Sequence, residues 1–252
     1  MTDNSTKGQG TNWLYFIVFL TGASVMVIEL LGTRLIAPFY GASLYVWSSL
    51  ISVTMIALAI GYFVGGRWAD RAKRTGLSLI IALAALFTLL IPLATRPVLL
   101  ATDPLGLRGG AFVSSLILFF PSLTMLGMVS PFAIKLATAR MEGIGTSSGS
   151  IYAVSTVGSV IGTLLLGFFL FPWVGSRQIL VSLGLVLLLL AFVVALYEQK
   201  HFARTIAVLP VCFWPLWACV CSLKLLVPVM LNSAVALVCF RNVKVYMVMS
   251  GL

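Results

Sequence analysis

Apolar runs long enough to cross a bilayer recur along this chain, and they limit its fold more than any other feature. A hydrocarbon core about 30 Å thick takes about 20 apolar residues in a helix to cross. Such runs cover residues 13–32, 44–63, 77–95, 111–134, 150–171 and 178–196. One or two more are expected between 205 and 240, where Pro215, Lys224, Pro228 and Asn232 interrupt the pattern. Inside lipid only helices and closed barrels satisfy their own backbone hydrogen bonds. Barrel strands alternate polar and apolar residues over about 10 positions, whereas these runs are continuous. The expected fold is therefore all-α, a polytopic integral membrane bundle of seven or eight transmembrane helices. The first run exceeds the apolar stretch of about 7–15 residues in a signal peptide, so it counts as a true span. With 61% of 252 residues hydrophobic and 9% charged, no room is left for a large soluble domain.

The net charge of +10 first suggests a polyanionic partner, and its distribution removes that suggestion. With the N-terminus inside, the inner segments hold Lys7, Arg67, Arg71, Lys73, Arg74, Lys135, Arg140, Lys200 and Arg204. The outer ones hold Arg34, Arg96, Arg108 and Arg177. Such an excess of inner cations is the positive-inside signature of a multi-pass protein. The expected location is the inner (plasma) membrane with a cytoplasmic N-terminus, and the partner is the lipid bilayer rather than nucleic acid. Three regions follow: a polar tail at 1–12, a six-helix domain at 13–197, and a hydrophobic C-terminal region at 198–252 with one or two further helices.

Within the first span, "VIELLGTRLI" (27–36) carries Glu29 and Arg34. At 1.5 Å per residue Glu29 lies about 24 Å from the inner end, still inside hydrocarbon. Positions five apart diverge around a helix, while good ion pairs are three or four apart, so no direct Glu29–Arg34 bridge is expected. Arg34 can reach the headgroups with its long stem. A carboxylate at that depth is costly, faces a bundle interior or cavity, and is a functional candidate; the structural alternative is a hydrogen-bonded Glu that locks helix packing. In "IGYFVGGRWADRAKR" (60–74), Gly61, Gly65 and Gly66 are expected to close the second helix before a compact basic loop holding Asp70 and Arg71. The pattern is similar to the loop after the second helix of major-facilitator transporters, with Lys73 where a glycine is usual.

Pro121 and Pro131 both fall in the fourth span, where each removes a backbone hydrogen bond and is expected to bend or break the helix. Ser122, Thr124 and Ser130 are placed to re-satisfy the freed carbonyls. In the fifth span Ser155, Gly158, Ser159, Gly162 and Thr163 recur at spacings of three and four, a smooth face for tight helix packing. "GIGTSSG" (143–149) follows no strand and fits no nucleotide fingerprint; it is expected to be a loop. No metal site or cofactor is expected, since His201 is the only histidine and the four cysteines sit in hydrophobic context.

Three stretches together resemble the membrane domain of the integral-membrane spermidine-synthase-like proteins, also described as fused facilitator-like and spermidine synthase proteins. They are "GASVMVIELLGTRLIAPFYG" (22–41), "ALAIGYFVGGRWADR" (57–71) and "GSIYAVSTVGSVIGTLLLGFFLFPWVG" (149–175), and the likeness covers about residues 13–197. The resemblance implies facilitator-like packing. It also implies a soluble aminopropyltransferase-like domain after the helices, with a glycine-rich nucleoside loop and acidic residues for a polyamine. Neither feature occurs here: after residue 142 the only acid is Glu198, and aminopropyl transfer needs a base to deprotonate the attacking amine. The chain is therefore not expected to be an enzyme. All four cysteines, Cys212, Cys219, Cys221 and Cys239, follow the point where the likeness stops. Either a divergent helix pair or a shifted reading frame near residue 200 accounts for that change. Two functions remain: a bundle that transports or senses a small cationic solute such as a polyamine, with Glu29 as the intramembrane anion and Asp70 and Arg71 at a cytoplasmic gate, or a membrane anchor for a soluble enzyme partner or a homo-oligomer.

Overall fold

The computed structural model of the chain describes residues 5–71, 76–138 and 144–198. Among them every regular element is helical: α1 (Ser5–Tyr40), α2 (Leu44–Arg71), α3 (Leu77–Thr102), α4 (Gly106–Thr138), α5 (Ile144–Leu164), a short α6 (Phe171–Trp173) and α7 (Ser176–Glu198). Five apolar segments have the length and composition to cross a membrane: Trp13–Tyr40, Leu44–Arg71, Leu77–Thr138, Gly145–Trp173 and Ser176–Leu196. The third has 62 residues and as one helix would extend about 93 Å. It instead turns back through a 3-10 turn at Asp103–Leu105 into the hairpin α3–α4. The expected seven or eight helices of spanning length are not reached among the described residues. The one or two expected between 205 and 240, together with the cysteines, lie outside them.

Two tight reversals need glycine. Gly41, between α1 and α2, has φ +74°, and Gly106, at the start of α4, has φ +70°, values that side chains with a Cβ rarely adopt.

Small residues then set which helices lie together. The broadest packing is α2 on α4, where Gly61 faces Thr124 and Gly127, Gly65 faces Met128 and Pro131, and Lys135 reaches the carbonyl of Ala69. Both chains advance in the same direction through these pairs, so α2 and α4 run parallel. The same holds for α1 and α5, where Phe19 meets Gly158 and Ala23 meets Gly162. The α3–α4 hairpin is antiparallel, tied by a buried Thr88–Ser122 hydroxyl contact of 2.7 Å, and α7 closes over α3 with Gly184 against Leu89. Leu14, Ile28, Leu31, Ile36, Leu50 and Phe119 fill the centre.

Many hydroxyls inside the bundle are satisfied by their own helices. Thr54 donates to Leu50 O at 2.8 Å, Thr95 to Ile91 O at 2.6 Å, and Ser115 to Ala111 O at 2.6 Å, a back-bond that lets polar side chains sit in apolar helices. At the C-terminal end of α1, the Tyr40 hydroxyl lies 3.0 Å from Thr102 Oγ1. Interhelical bonds of this kind contribute about 1 kcal/mol in membrane bundles. Tyr40→Phe is accordingly expected to lower stability by about 1 kcal/mol, measurable as an earlier unfolding transition in detergent.

Three sequence expectations need correction. α2 does not close at Gly65 and Gly66; it continues to Arg71, because Gly65 lets its last turns lie against α4 and Lys135 holds the end. "GIGTSSG" is not a loop, since α5 begins at Ile144 and Ser150, bonded to Tyr15 at 3.1 Å, fastens those first turns to α1. Of the bend or break expected at Pro121 and Pro131, a break does not occur: α4 runs from Gly106 to Thr138. Nor do the nearby hydroxyls serve the carbonyls that the prolines free: Ser122 crosses to Thr88 and to Ala84 O, and Thr124 bonds Phe120 O at 2.7 Å.

Candidate functional site

A cavity of about 300 Å³ lies among α1, α2, α4 and α5. Thr21, Gly22, Val25 and Met26 form its α1 wall, Leu58 and Tyr62 its α2 wall, Leu126, Gly127 and Ser130 its α4 wall, and Tyr152, Ser155, Thr156 and Ser159 its α5 wall. On α1 these positions lie about 12–20 Å along the helix from Trp13, well inside a hydrocarbon-thick layer. Seven of the thirteen wall residues carry a hydroxyl and none carries a charge.

The same packing that assembles the bundle makes the cavity. Gly22 meets Ser155 and Gly158 meets Phe19, so α5 is held at backbone contact with α1. Gly61 and Gly127 do the same for α2 and α4. Two tightly paired couples leave a gap between them, and Tyr62 and Tyr152, 42% and 50% exposed, flank it from α2 and α5.

The hydrogen-bond state of the walls decides what the cavity can offer. Thr21 donates to Ile17 O at 2.9 Å, Thr156 to Tyr152 O at 2.8 Å, and Ser159 to Gly22 O at 3.0 Å. Each hydroxyl has one proton and two acceptor lone pairs. With the proton committed to a helix carbonyl, what these three present is acceptor capacity.

Glu29 does not line the cavity itself. It lies three and four residues beyond Met26 and Val25 and seven beyond Gly22, so it continues the same face of α1, one turn further along. Its side chain is half-buried, and it makes no hydrogen bond or ion pair among the described residues. Arg34 is not its partner. The Arg34 guanidinium lies 3.8 Å above the ring of Phe171, exposed near the C-terminal end of α1. Phe171 comes to that place after a π-helical stretch, Leu165–Leu170, which inserts extra residue per turn and re-aims the face that follows.

The remaining candidates lie elsewhere. Asp70 and Arg71 are in the exposed last turn of α2, and Asp70 pairs with Lys135 at 3.5 Å, 82% exposed, where such a pair contributes little. Gly65 is packed against α4, while Gly66 faces open space. Pro121 and Pro131 are half-buried in α4. Gly158 and Gly162 are buried in the α1–α5 contact. The structure thus gathers Glu29 and the α5 face near one cavity and leaves the Asp70 group apart. Tyr62 and Tyr152 escaped sequence reasoning because aromatic rings blend into an apolar run; the usable signal was a phenol inside a span.

Compared with protein-family models, curated proteins and solved structures, the chain matches none.

Proposed function

We propose that this chain is a multi-pass membrane bundle that binds a small solute in the cavity between α1, α2, α4 and α5 and transports or senses it. One observation carries the reading: a cavity at membrane depth in which seven of the thirteen wall residues carry a hydroxyl and none a charge. A polar cavity in hydrocarbon is expensive unless something polar fills it, and solute sites of membrane proteins lie near the midplane between helices.

Six crossings with a cytoplasmic N-terminus in the plasma membrane complete the proposal. The parallel courses of α1 with α5 and of α2 with α4 support it, because strictly alternating crossings require both. The excess of cations at 67–74, 135 and 140 supports the orientation. The resemblance to the membrane domain of spermidine-synthase-like proteins supports a solute of the amine class.

The test is uptake into proteoliposomes of radiolabelled ethanolamine, putrescine, spermidine and glycerol. Saturable, protein-dependent uptake or binding of at least one supports the proposal. None from any of the four, with a soluble enzyme that stays bound through purification, favours the membrane-anchor role instead.

A further inference from the structure

Resting on that reading, we infer that the cavity is built for a small primary amine carrying a single positive charge, its ammonium directed toward Glu29 and its body lying between Tyr62 and Tyr152. Three independent features converge on this ligand class.

The first is donor and acceptor balance. Thr21, Thr156 and Ser159 have spent their protons on helix carbonyls, so toward these three a ligand must bring donors, while the hydroxyls of Ser130, Ser155, Tyr62 and Tyr152 can donate or accept. A primary ammonium brings three and accepts none.

The second is the number of anions. Glu29 is the one carboxylate in the interior of the described spans; Asp70 is paired at an exposed helix end and Asp103 lies in the exposed α3–α4 turn. A single carboxylate one turn from the cavity compensates a single ammonium. A second or third ammonium on the same ligand would be left in a low-dielectric site without a counter-charge, which is strongly unfavourable. Charge count therefore argues against a polyamine and for a monoamine.

The third is the aromatic pair. Tyr62 and Tyr152 approach the cavity from opposite helices, and the faces of aromatic rings attract cations when desolvated. No Lys or Arg side chain lines the cavity, so no fixed cation opposes a bound one.

The experiment is binding to the full chain in nanodiscs, measured by calorimetry with four probes of rising charge: glycerol, ethanolamine, putrescine and spermidine. Ethanolamine is expected to bind most tightly, about tenfold better than glycerol, the return of one charge-assisted hydrogen bond. Glu29→Gln is expected to remove that advantage, Glu29→Asp to retain part of it, and neither to change glycerol binding. The wild-type series needs no variant, so a poorly folding substitution does not spoil the test. Spermidine or putrescine binding more tightly than ethanolamine overturns the single-charge inference, and so does an ethanolamine affinity untouched by Glu29→Gln. Glycerol binding as well as ethanolamine overturns the inference and leaves the solute-binding proposal standing. Absence of binding by all four overturns both.

Discussion

Gly61→Val is expected to destroy the folded bundle. A Cβ at position 61 would lie 2.5 Å from the carbonyl oxygen of Thr124 and 3.1 Å from the Cα of Gly127. Both neighbours are backbone, so no side-chain rotation relieves the overlap. The α2–α4 contact is the broadest in the bundle, and separating it would also strain the next contact, where a Cβ on Gly65 would come within 2.7 Å of Met128 Cα. Overpacking a well-filled contact costs about 1–3 kcal/mol and more where backbone must move. Against a total stability of about 5–15 kcal/mol, a loss of about 3 kcal/mol or more should turn a sharp size-exclusion peak into aggregate. Gly66→Ala is the contrast. Nothing lies within 4 Å of a Cβ there, and alanine favours helix over glycine by about 1 kcal/mol, so that variant should elute and melt like the parent or slightly later. Equal behaviour of Gly61→Val and the parent would mean that α2 and α4 do not touch.

Thr156→Trp is expected to abolish solute binding while leaving the bundle intact. Thr156 lines the cavity from α5, yet it is exposed and its hydroxyl bonds only to Tyr152 O, on its own helix. A bulky ring at this position fills the cavity without entering the close contact that Gly158 and Gly162 make with α1. Losing the cavity should lower binding of the preferred solute by about tenfold or more, equivalent to about 1.4 kcal/mol or more. The melting temperature should stay within about 2–4 °C, the shift that 1 kcal/mol produces in a domain of this size. Phe168→Ala serves as the control, since Phe168 is 73% exposed on the outward side of the fifth span and belongs to no wall of the cavity. Undiminished binding in Thr156→Trp would place the solute elsewhere.

How much of this was legible beforehand depended on which force decided each feature. The spans at 13–32, 44–63 and 178–196 were plain because their apolar content alone requires lipid or burial. Helix ends were not, because contacts distant in sequence set them. α2 passes Gly66 only because Gly65 fits against Met128, and α5 starts within "GIGTSSG" because Ser150 finds Tyr15. Pro131 marked a place for a bend or a break; its ring packs near Gly65 in the α2–α4 contact, and α4 runs on through it.

The site divided in the same way. Glu29 stood out because a carboxylate in an apolar run is costly wherever it points. Its direction could be inferred only once Val25 and Met26 were seen to form a cavity wall. The glycines at 158 and 162 were visible through their spacing, although spacing did not say that α1 would be their partner. The π-helical stretch at Leu165–Leu170 leaves no mark on residue periodicity, and the meeting of Arg34 with Phe171 depends on it. Asp70 drew notice as part of a charged loop, and its place on the exposed end of a helix removes it from the cavity.

The central claim is that the space between α1, α2, α4 and α5 is a solute site open to water, and substituted-cysteine labelling tests it most directly. Cys212, Cys219, Cys221 and Cys239 are first replaced by alanine, and Ser130→Cys, Thr156→Cys and Phe168→Cys are then made singly in membrane vesicles. A charged, water-soluble thiosulfonate reagent is expected to modify the cysteines at 130 and 156, more slowly when ethanolamine is present, and to leave the lipid-facing one at 168 untouched. If positions 130 and 156 prove as unreactive as 168, no water reaches the cavity, and the account of this bundle as a solute-binding protein is contradicted.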